Sequence, residues 1–447
     1  MTSSPRLSVK RADFGDAFTF GVATSSYQIE GHTFGGAGPT HWDTFAATAG
    51  NVVRAEDGAV ACDHYHRWEE DLDLIRDAGL SAYRFSTSWA RIMPEGRGAV
   101  NAEGLDFYDR LVDGMLARGL QPHATLYHWE LPAALADLGG WTNRDVANWF
   151  ADFTEVVIGR LGDRLTSVAP VNEPWCVSFL SHFLGIHAPG HRDIRATARA
   201  MHHVLLAHGR SIAAMRAMGQ TNLGAVNNFE YVSAADESEA SRAAARLYEG
   251  IYNRWFVQAM MQKTYPEDVL DLLGPHMPAG WEADLDLIGA PLDWFGVNYY
   301  TRQNLRATDS PIFPAMEPAP GDLPKTAMGW EVFPEGLYRI LTWLKAEQTG
   351  DLPIRITENG LASYDTVGPD GVSDPQRLDY LDGHLKAVLR AKAEGVPVEA
   401  YFAWSLMDNY EWAEGYEKRF GLVHVDFDTL ERTPKDSYHA LKAMLAG

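Results

Sequence analysis

Short runs rich in β-branched and aromatic residues alternate along this chain with stretches of helical periodicity, and that alternation restricts its fold more than anything else in the sequence. The strand-like runs are 18–26, 80–86, 122–128, 166–172, 222–229, 294–299, 353–358 and 398–404. Between and after them, helices are predicted over 69–78, 101–118, a segment N-capped by Thr142, 195–218, 247–261, 334–344, 377–390 and 438–445. In the second of these, Leu105, Tyr108, Leu111, Val112, Met115 and Leu116 fall on one face. Gly79, Gly119 and Gly219 follow helical stretches as stops. Strands separated by helices pair in parallel through right-handed crossovers. Eight such units predict an α/β fold, a single (β/α)8 TIM barrel with extended βα loops at its C-terminal face. An open doubly wound sheet is the alternative. It is weakened because no G-x-G-x-x-G or G-x-x-x-x-G-K-[ST] phosphate loop follows the first strands. No linker or internal repeat divides the chain, so 1–447 reads as one domain, with 1–13 a short tail.

Charge narrows the partners. Sixty acidic residues against thirty-eight Lys and Arg leave a formal charge of −22, which argues against nucleic acid. No apolar run approaches the ~18 residues of a membrane span, and Met1 to Arg11 is too polar for a secretory signal. A cytoplasmic protein with no membrane partner is the expectation. The two cysteines, Cys62 and Cys176, match no metal or redox spacing and read as free buried thiols.

Chemistry gathers where the predicted strands end. Pro353-Ile354-Arg355-Ile356-Thr357-Glu358-Asn359-Gly360 reads as a buried strand delivering Glu358 to a turn, which Asn359-Gly360 would allow through positive φ. The fourth strand ends in Asn172-Glu173-Pro174, the second in Arg84, the third in His128-Trp129 and the sixth in Asn298-Tyr299-Tyr300. The eighth runs into Trp404, then Asp408, Glu411 and Trp412. In a barrel, that rim is where catalysis is placed. Two glutamates facing each other suit glycoside hydrolysis: one attacks the anomeric carbon, and the other gives a proton to the leaving oxygen. Arg84 and Tyr300 would keep Glu358 ionised, while an apolar setting beside Trp175 would raise the pKa of Glu173. Aromatic faces stack on sugar C–H surfaces, and Gln28, His128, Asn172 and Glu411 can bind hydroxyls. Taken singly, each group has a plainer reading: Arg84 as a structural ion pair, His128, Trp129 and Trp404 as core, Asp408 as a cap. Glu30, His32, His66 and His187 read as structural or solvated. His202-His203 lacks an H-E-x-x-H pattern, so no metal site is expected. Convergence on one rim favours the functional reading.

These residues resemble glycoside hydrolase family 1, the retaining β-glucosidase family. The resemblance runs from Phe18 nearly to the C-terminus. It rests on Ala23-Thr24-Ser25-Ser26-Tyr27-Gln28-Ile29-Glu30-Gly31, Tyr83-Arg84-Phe85-Ser86, Asn172-Glu173-Pro174-Trp175, Ile356-Thr357-Glu358-Asn359-Gly360 and the segment Trp404 to Trp412. It implies Glu358 as nucleophile and Glu173 as acid/base, with two displacements, net retention and carboxyl groups ~5–5.5 Å apart. It implies that Gln28, His128, Trp129, Asn172, Glu411 and Trp412 bind the sugar over a floor formed by Trp404. Arg84, Asn298 and Tyr300 would orient the nucleophile, Asn298 and Tyr300 also touching substrate. Trp330 would serve the aglycone, and no metal or organic cofactor is implied.

The chain also departs from the family pattern. His128-Trp129-Glu130-Leu131-Pro132 carries Glu where the family usually has Asp, a change expected to alter support rather than chemistry. The phosphoglycosidase branch usually has Ser where Glu411 stands, with Lys and Tyr downstream. Lys418 matches and Phe420 does not, so the resemblance implies an unphosphorylated sugar. Plant thioglucosidases usually replace the acid/base with Gln; the presence of Glu173 favours O-glycosides. The expected partner is therefore a small β-glycoside or short oligosaccharide, glucosides first, with β-galactosidase or β-fucosidase side activity. Transglycosylation is an alternative within the same machinery. A non-catalytic sugar-binding barrel would be favoured by loss of either glutamate. An amidase or lyase would need a metal cluster or a Lys/His base at a strand end.

Overall fold

The computed structural model describes residues 6–369 and 371–447. Eight strands form its centre: β1 Thr19–Ala23, β2 Ala82–Ser86, β3 Gln121–Tyr127, β4 Ser167–Val171, β5 Gly224–Ala234, β6 Trp294–Ala307, β7 Ile354–Asn359 and β8 Val398–Trp404. All neighbours among them pair in parallel, in the order β4-β3-β2-β1-β8-β7-β6-β5. Parallel bridges Val168↔Leu223 and Asn172↔Val226 then join β4 to β5. That seam closes the sheet and removes the open alternative.

One main helix follows each strand: α1 His64–Asp77, α2 Ala102–Ala117, α3 Val146–Leu161, α4 Ile194–Ala217, α5 Glu239–Glu249, α6 Pro334–Trp343, α7 Pro375–Ala393 and α8 Asp436–Ala446. Of the face that predicted α2, Tyr108, Leu111, Val112 and Met115 are buried together with Phe107, whereas Leu105 is half-buried and Leu116 is exposed. Inside the sheet, Ala23, Ala82 and Ala400 are small enough to leave room for Phe402 and then Trp404, which carries the core up to the C-terminal rim.

Several sequence expectations change. Strand β5 runs on to Ala234, and the helix expected over 247–261 begins at Glu239 and passes through a π-helical segment, Gly250–Arg254, to Gln262. Thr142 does not cap α3; it closes a short 3-10 turn by donating to the Gly139 carbonyl (2.6 Å), and the helix begins at Val146 behind Asp145. Strand β6 does not stop at Tyr299 but runs to Ala307, where Met316–Pro318 adds to it antiparallel, so part of the expected Pro-rich loop is sheet. Asn359 remains in β7, and Gly360 is needed for space rather than for positive φ: a Cβ there would lie 1.8 Å from the Trp404 carbonyl oxygen. Of the expected tail, residues 1–5 lie outside the described residues. Leu7, Val9 and Phe14 are buried, and Ser8 bonds Asp382 through N (2.7 Å) and Oγ (2.8 Å), so the segment is anchored at these points while Lys10, Ala12 and Asp13 are exposed.

Candidate active site

The C-terminal ends of β2, β4, β6 and β7 bring seven side chains into one bonded unit. Arg84 donates from Nη1 to Glu358 Oε1 (2.6 Å) and from Nη2 to Asn172 Oδ1 (2.7 Å). Asn298 Nδ2 donates to the same Asn172 oxygen (3.1 Å) and to Glu173 Oε1 (2.6 Å). Thr357 Oγ1 donates to Asn298 Oδ1 (2.6 Å), which fixes the orientation of the amide. Tyr300 donates its phenol to Glu358 Oε2 (2.6 Å). The two glutamates are thus tied through Arg84, Asn172 and Asn298, and expose only 4% and 3% of their surface.

Their surroundings make them different acids. Burial raises Glu358, but the Arg84 guanidinium and the Tyr300 phenol oppose that rise and favour its carboxylate. Glu173 takes its hydrogen bonds from an amide and a thiol instead. Burial, with the charge of Glu358, pushes its pKa up to about 8. Two carboxyls so close cannot both ionise easily, and the cation sits on one side. The arrangement therefore stores its proton on Glu173 and its charge on Glu358.

Both glutamates open onto a cavity of about 950 Å³. His128, Trp129, Trp404, Glu411 and Trp412 line one side of it, with Tyr300 and Trp330 on another. His128 stacks between Trp404 and Trp412, at 5.5 and 6.2 Å between ring centres. Burial beside Arg84 holds the imidazole well below its ordinary pKa, so it is neutral. Trp129 anchors its indole N–H on the Asn172 carbonyl (3.0 Å). Gln28 is fully buried behind Glu411 and donates to Asn409 Oδ1 (3.0 Å), the Tyr410 carbonyl (2.9 Å) and Glu411 Oε2 (3.3 Å). Burial, with the charges of Glu358 and Glu414, pushes Glu411 up to about 8. The loop bearing Glu411 is fixed from below by Asp408, which accepts from Lys435 (2.6 Å), Arg419 (2.8 Å) and the Gly421 N–H (3.0 Å). Asp408 is therefore the hub of a buried ion cluster rather than a simple cap.

Every residue in the sequence-derived set lies in this region, and some plainer readings give way. Arg84 is an ion pair, and its partner is Glu358. His187, read as structural or solvated, lines the cavity, where burial lowers its pKa to about 3. Glu30 is structural as read, held by Arg91 Nε (3.0 Å) and the Tyr108 hydroxyl (2.9 Å). Asn298 bonds Glu173 directly, and its amide also favours the Glu358 carboxylate, so it acts on both carboxyls. Glu130, at the departure from the family pattern, is buried and accepts from Ser26.

The sequence reading missed Cys176, Asn228, Glu230, Tyr248 and Tyr252, which line the cavity on the side of Glu173. It also missed the backbone: Glu173, Trp129 and Trp412 all have left-handed φ, at 52°, 89° and 51°. Such φ values cost non-glycine residues on the order of 1 kcal/mol each and recur where a side chain is aimed by its surroundings. For Glu173 the aim comes from the β4–β5 seam, since its N–H donates to the Val226 carbonyl (3.0 Å). No group of His, Cys, Asp and Glu suited to a metal ion occurs among the described residues, His202 and His203 included.

Comparison with known proteins gives the same answer along the whole chain. The family model for glycosyl hydrolase family 1 matches residues 10–446. A β-glucosidase from Agrobacterium sp. is 46% identical over 443 residues, covering 98% of this chain and 96% of the relative. A bifunctional β-D-glucosidase/β-D-fucosidase from Bifidobacterium breve is 42% identical, covering 97% and 98%. The solved structure of β-glucosidase from Thermotoga maritima in complex with glucoimidazole superimposes with a TM-score of 0.93 at 44% identity, covering 97% and 98% of the two chains. The chain belongs to glycosyl hydrolase family 1.

Proposed function

We propose that this protein is a retaining β-glycosidase, β-glucosidase first, that removes the non-reducing terminal β-D-glucosyl residue from short oligosaccharides or from aryl and alkyl glucosides. The observation that carries the reading is the asymmetry of the two glutamates. Glu358, held by Arg84 and Tyr300, is the nucleophile and forms a glycosyl-enzyme. Glu173, bonded by Asn298 and Cys176, gives its proton to the leaving oxygen and then takes one from the attacking water. His128, Trp129, Trp412, Glu411 and the amides of Gln28 and Asn172 hold the sugar over Trp404. Trp330, beside Tyr300 and Phe420 at 5.8 and 6.2 Å, faces the aglycone.

The sugar itself is neutral in this reading. Glu411 occupies the position that a phosphate would need to approach. Lys418 is committed to Glu417 (2.8 Å) and Glu414 (3.9 Å), and Phe420 packs against Tyr300. β-Fucosides and β-galactosides are expected as slower substrates, as the name of the Bifidobacterium relative suggests for fucosides.

The direct test follows the first sugar released from p-nitrophenyl β-D-glucoside by NMR. β-Glucose as the first anomer supports double displacement. α-Glucose excludes it, and a folded protein that turns over no aryl β-glycoside points to a sugar-binding barrel.

Tyr300→Phe tests the nucleophile's environment. The phenol's own pKa is raised well above its ordinary value by burial and by Glu358, so it stays a donor. Removing it takes a hydrogen bond from the Glu358 carboxylate and raises that pKa. Activity needs Glu358 ionised and falls as pH drops through its pKa, so the acid limb of kcat/KM should move upward by roughly one unit or more. An unmoved acid limb would separate Tyr300 from the charge on Glu358.

A further inference from the structure

The carboxyl of Glu173 has two oxygens, and they have different partners. Oε1 accepts the Asn298 amide (2.6 Å), a group that offers only N–H on that side because its oxygen is taken by Thr357. Oε2 accepts from the thiol of Cys176 (3.1 Å), one turn further along the segment that follows β4. The sulfur in turn accepts from Asn228 Nδ2 within β5 (3.6 Å). Cys176 and Asn228 both line the cavity beside Glu173.

We infer that Cys176 is a positioning residue of the reaction: its neutral thiol, steadied by Asn228, holds Oε2 of Glu173 in the plane from which that oxygen exchanges the proton with the leaving group and with water. The inference rests on the acid/base assignment of Glu173 made above. Asn298 claims Oε1, so the mobile proton belongs on Oε2. A thiol suits the neighbouring place. It donates one weak hydrogen bond to the carboxylate, and when Oε2 carries the proton its bond can pass to the second lone pair. The donor must keep its own proton, and the site ensures this. Burial, then the charges of Glu173, Glu358 and Glu230, push the thiol well above its ordinary pKa. A thiol so disfavoured as thiolate is a poor nucleophile, so Cys176 serves as a hydrogen-bond donor rather than as a reactive group.

The remaining charged and titratable groups around Glu173 come from other elements. Glu358 on β7, Glu411 after β8, Tyr300 on β6 and Tyr252 after α5 interact with it, and Arg84 on β2 opposes its rise. None of them changes in a Cys176 variant. Loss of the thiol removes one stabilising bond from the carboxylate alone, so the pKa of Glu173 rises. Because the first step needs Glu173 protonated, the alkaline limb of kcat/KM follows that pKa upward.

The experiment compares wild type, Cys176→Ala, Cys176→Ser and Glu173→Ala by the pH dependence of kcat/KM on p-nitrophenyl β-glucoside and cellobiose. Thermal unfolding confirms that each variant folds. Cys176→Ala is expected to move the alkaline limb up by roughly half a unit, and Cys176→Ser, which restores an O–H donor, to return it toward wild type. Should the alanine variant fail to fold, Cys176→Val fills the volume without a donor and carries the same expectation. A limb absent from Glu173→Ala but unmoved by Cys176→Ala or Cys176→Val overturns the role of Cys176 and leaves the acid/base assignment standing. A limb that survives in Glu173→Ala overturns both.

Discussion

Glu358→Gly is expected to lose hydrolysis of aryl β-glucosides by about 10⁵-fold or more, and to regain turnover when azide or formate is added, giving a product of inverted, α configuration. The first displacement has no substitute for the carboxylate, because in the proposed mechanism Glu358 forms the bond to the anomeric carbon. Removing the whole side chain opens a space the size of a small anion. That anion would stand where the carboxylate oxygens stood, within reach of the Arg84 guanidinium and the Tyr300 phenol that now bond them at 2.6 Å each. It attacks from the face opposite the aglycone, and the glycosyl azide, which no second displacement follows, is α. Glu173 is left in place to protonate the leaving group, so rescue should not be confined to glucosides whose leaving group departs unaided. Activity unchanged in the variant would remove Glu358 from the mechanism. Rescue with a β product would mean that the anion enters from the other face and that the two roles are exchanged.

In the proposed mechanism the charge arrangement favours the ionised form at Glu358 over Glu173. Arg84 donates from one nitrogen to Glu358 and from the other to Asn172, and Asn172 spends the same oxygen on Asn298, which holds Glu173. The cation is therefore in contact with one carboxyl and two amides away from the other. Direct contact is worth far more than a remote charge in a buried site. A single arginine thus sorts the proton between two chemically identical side chains.

Much of this was legible in the sequence because a parallel barrel converts strand order into spatial order. Each strand's last residues reach the same rim, so Arg84, Asn172, Glu173, Asn298, Tyr300 and Glu358 can be brought together without knowing a single long-range contact. The barrel's closure was legible in count only; the β4–β5 seam rests on two bridges and leaves no mark on hydrophobic pattern. What escaped were features set by packing rather than by local alternation. Cys176 and Tyr252 sit on helical segments, where an apolar or small residue reads as core. Glu230 belongs to the part of β5 beyond the predicted end, and it becomes a lining residue only because that strand continues to Ala234. Gly360 was found for the wrong reason, since turn chemistry and close approach select the same residue. Left-handed backbone at Glu173, Trp129 and Trp412 has no signature in residue type, because none of the three is Gly, Asn or Asp.

Glu173→Ala is expected to be selective where Glu358→Gly is not. The acid is needed in proportion to how poor the leaving group is. Cellobiose should lose kcat/KM by about 10³-fold or more, within the range that general acids contribute. A dinitrophenyl glucoside, whose phenolate leaves unaided, should lose little in the same parameter. Its kcat should nevertheless fall, because the second step lacks its base and the glycosyl-enzyme on Glu358 accumulates. Azide needs no base, so it should restore kcat and yield the β-glycosyl azide, the opposite configuration from the Glu358→Gly product. The pH profile completes the contrast. In the proposed mechanism Glu173 carries its proton in the first step, and burial with the charge of Glu358 pushes its pKa up to about 8, so wild-type kcat/KM should fall as pH rises through that region. With the side chain removed, the group that imposes the fall is gone, and the alkaline limb should be absent for the dinitrophenyl substrate. An equal loss for every leaving group, with the limb intact, would show that Glu173 shapes the site without moving the proton. A loss that grows with leaving-group pKa is a property only of the residue that delivers the proton.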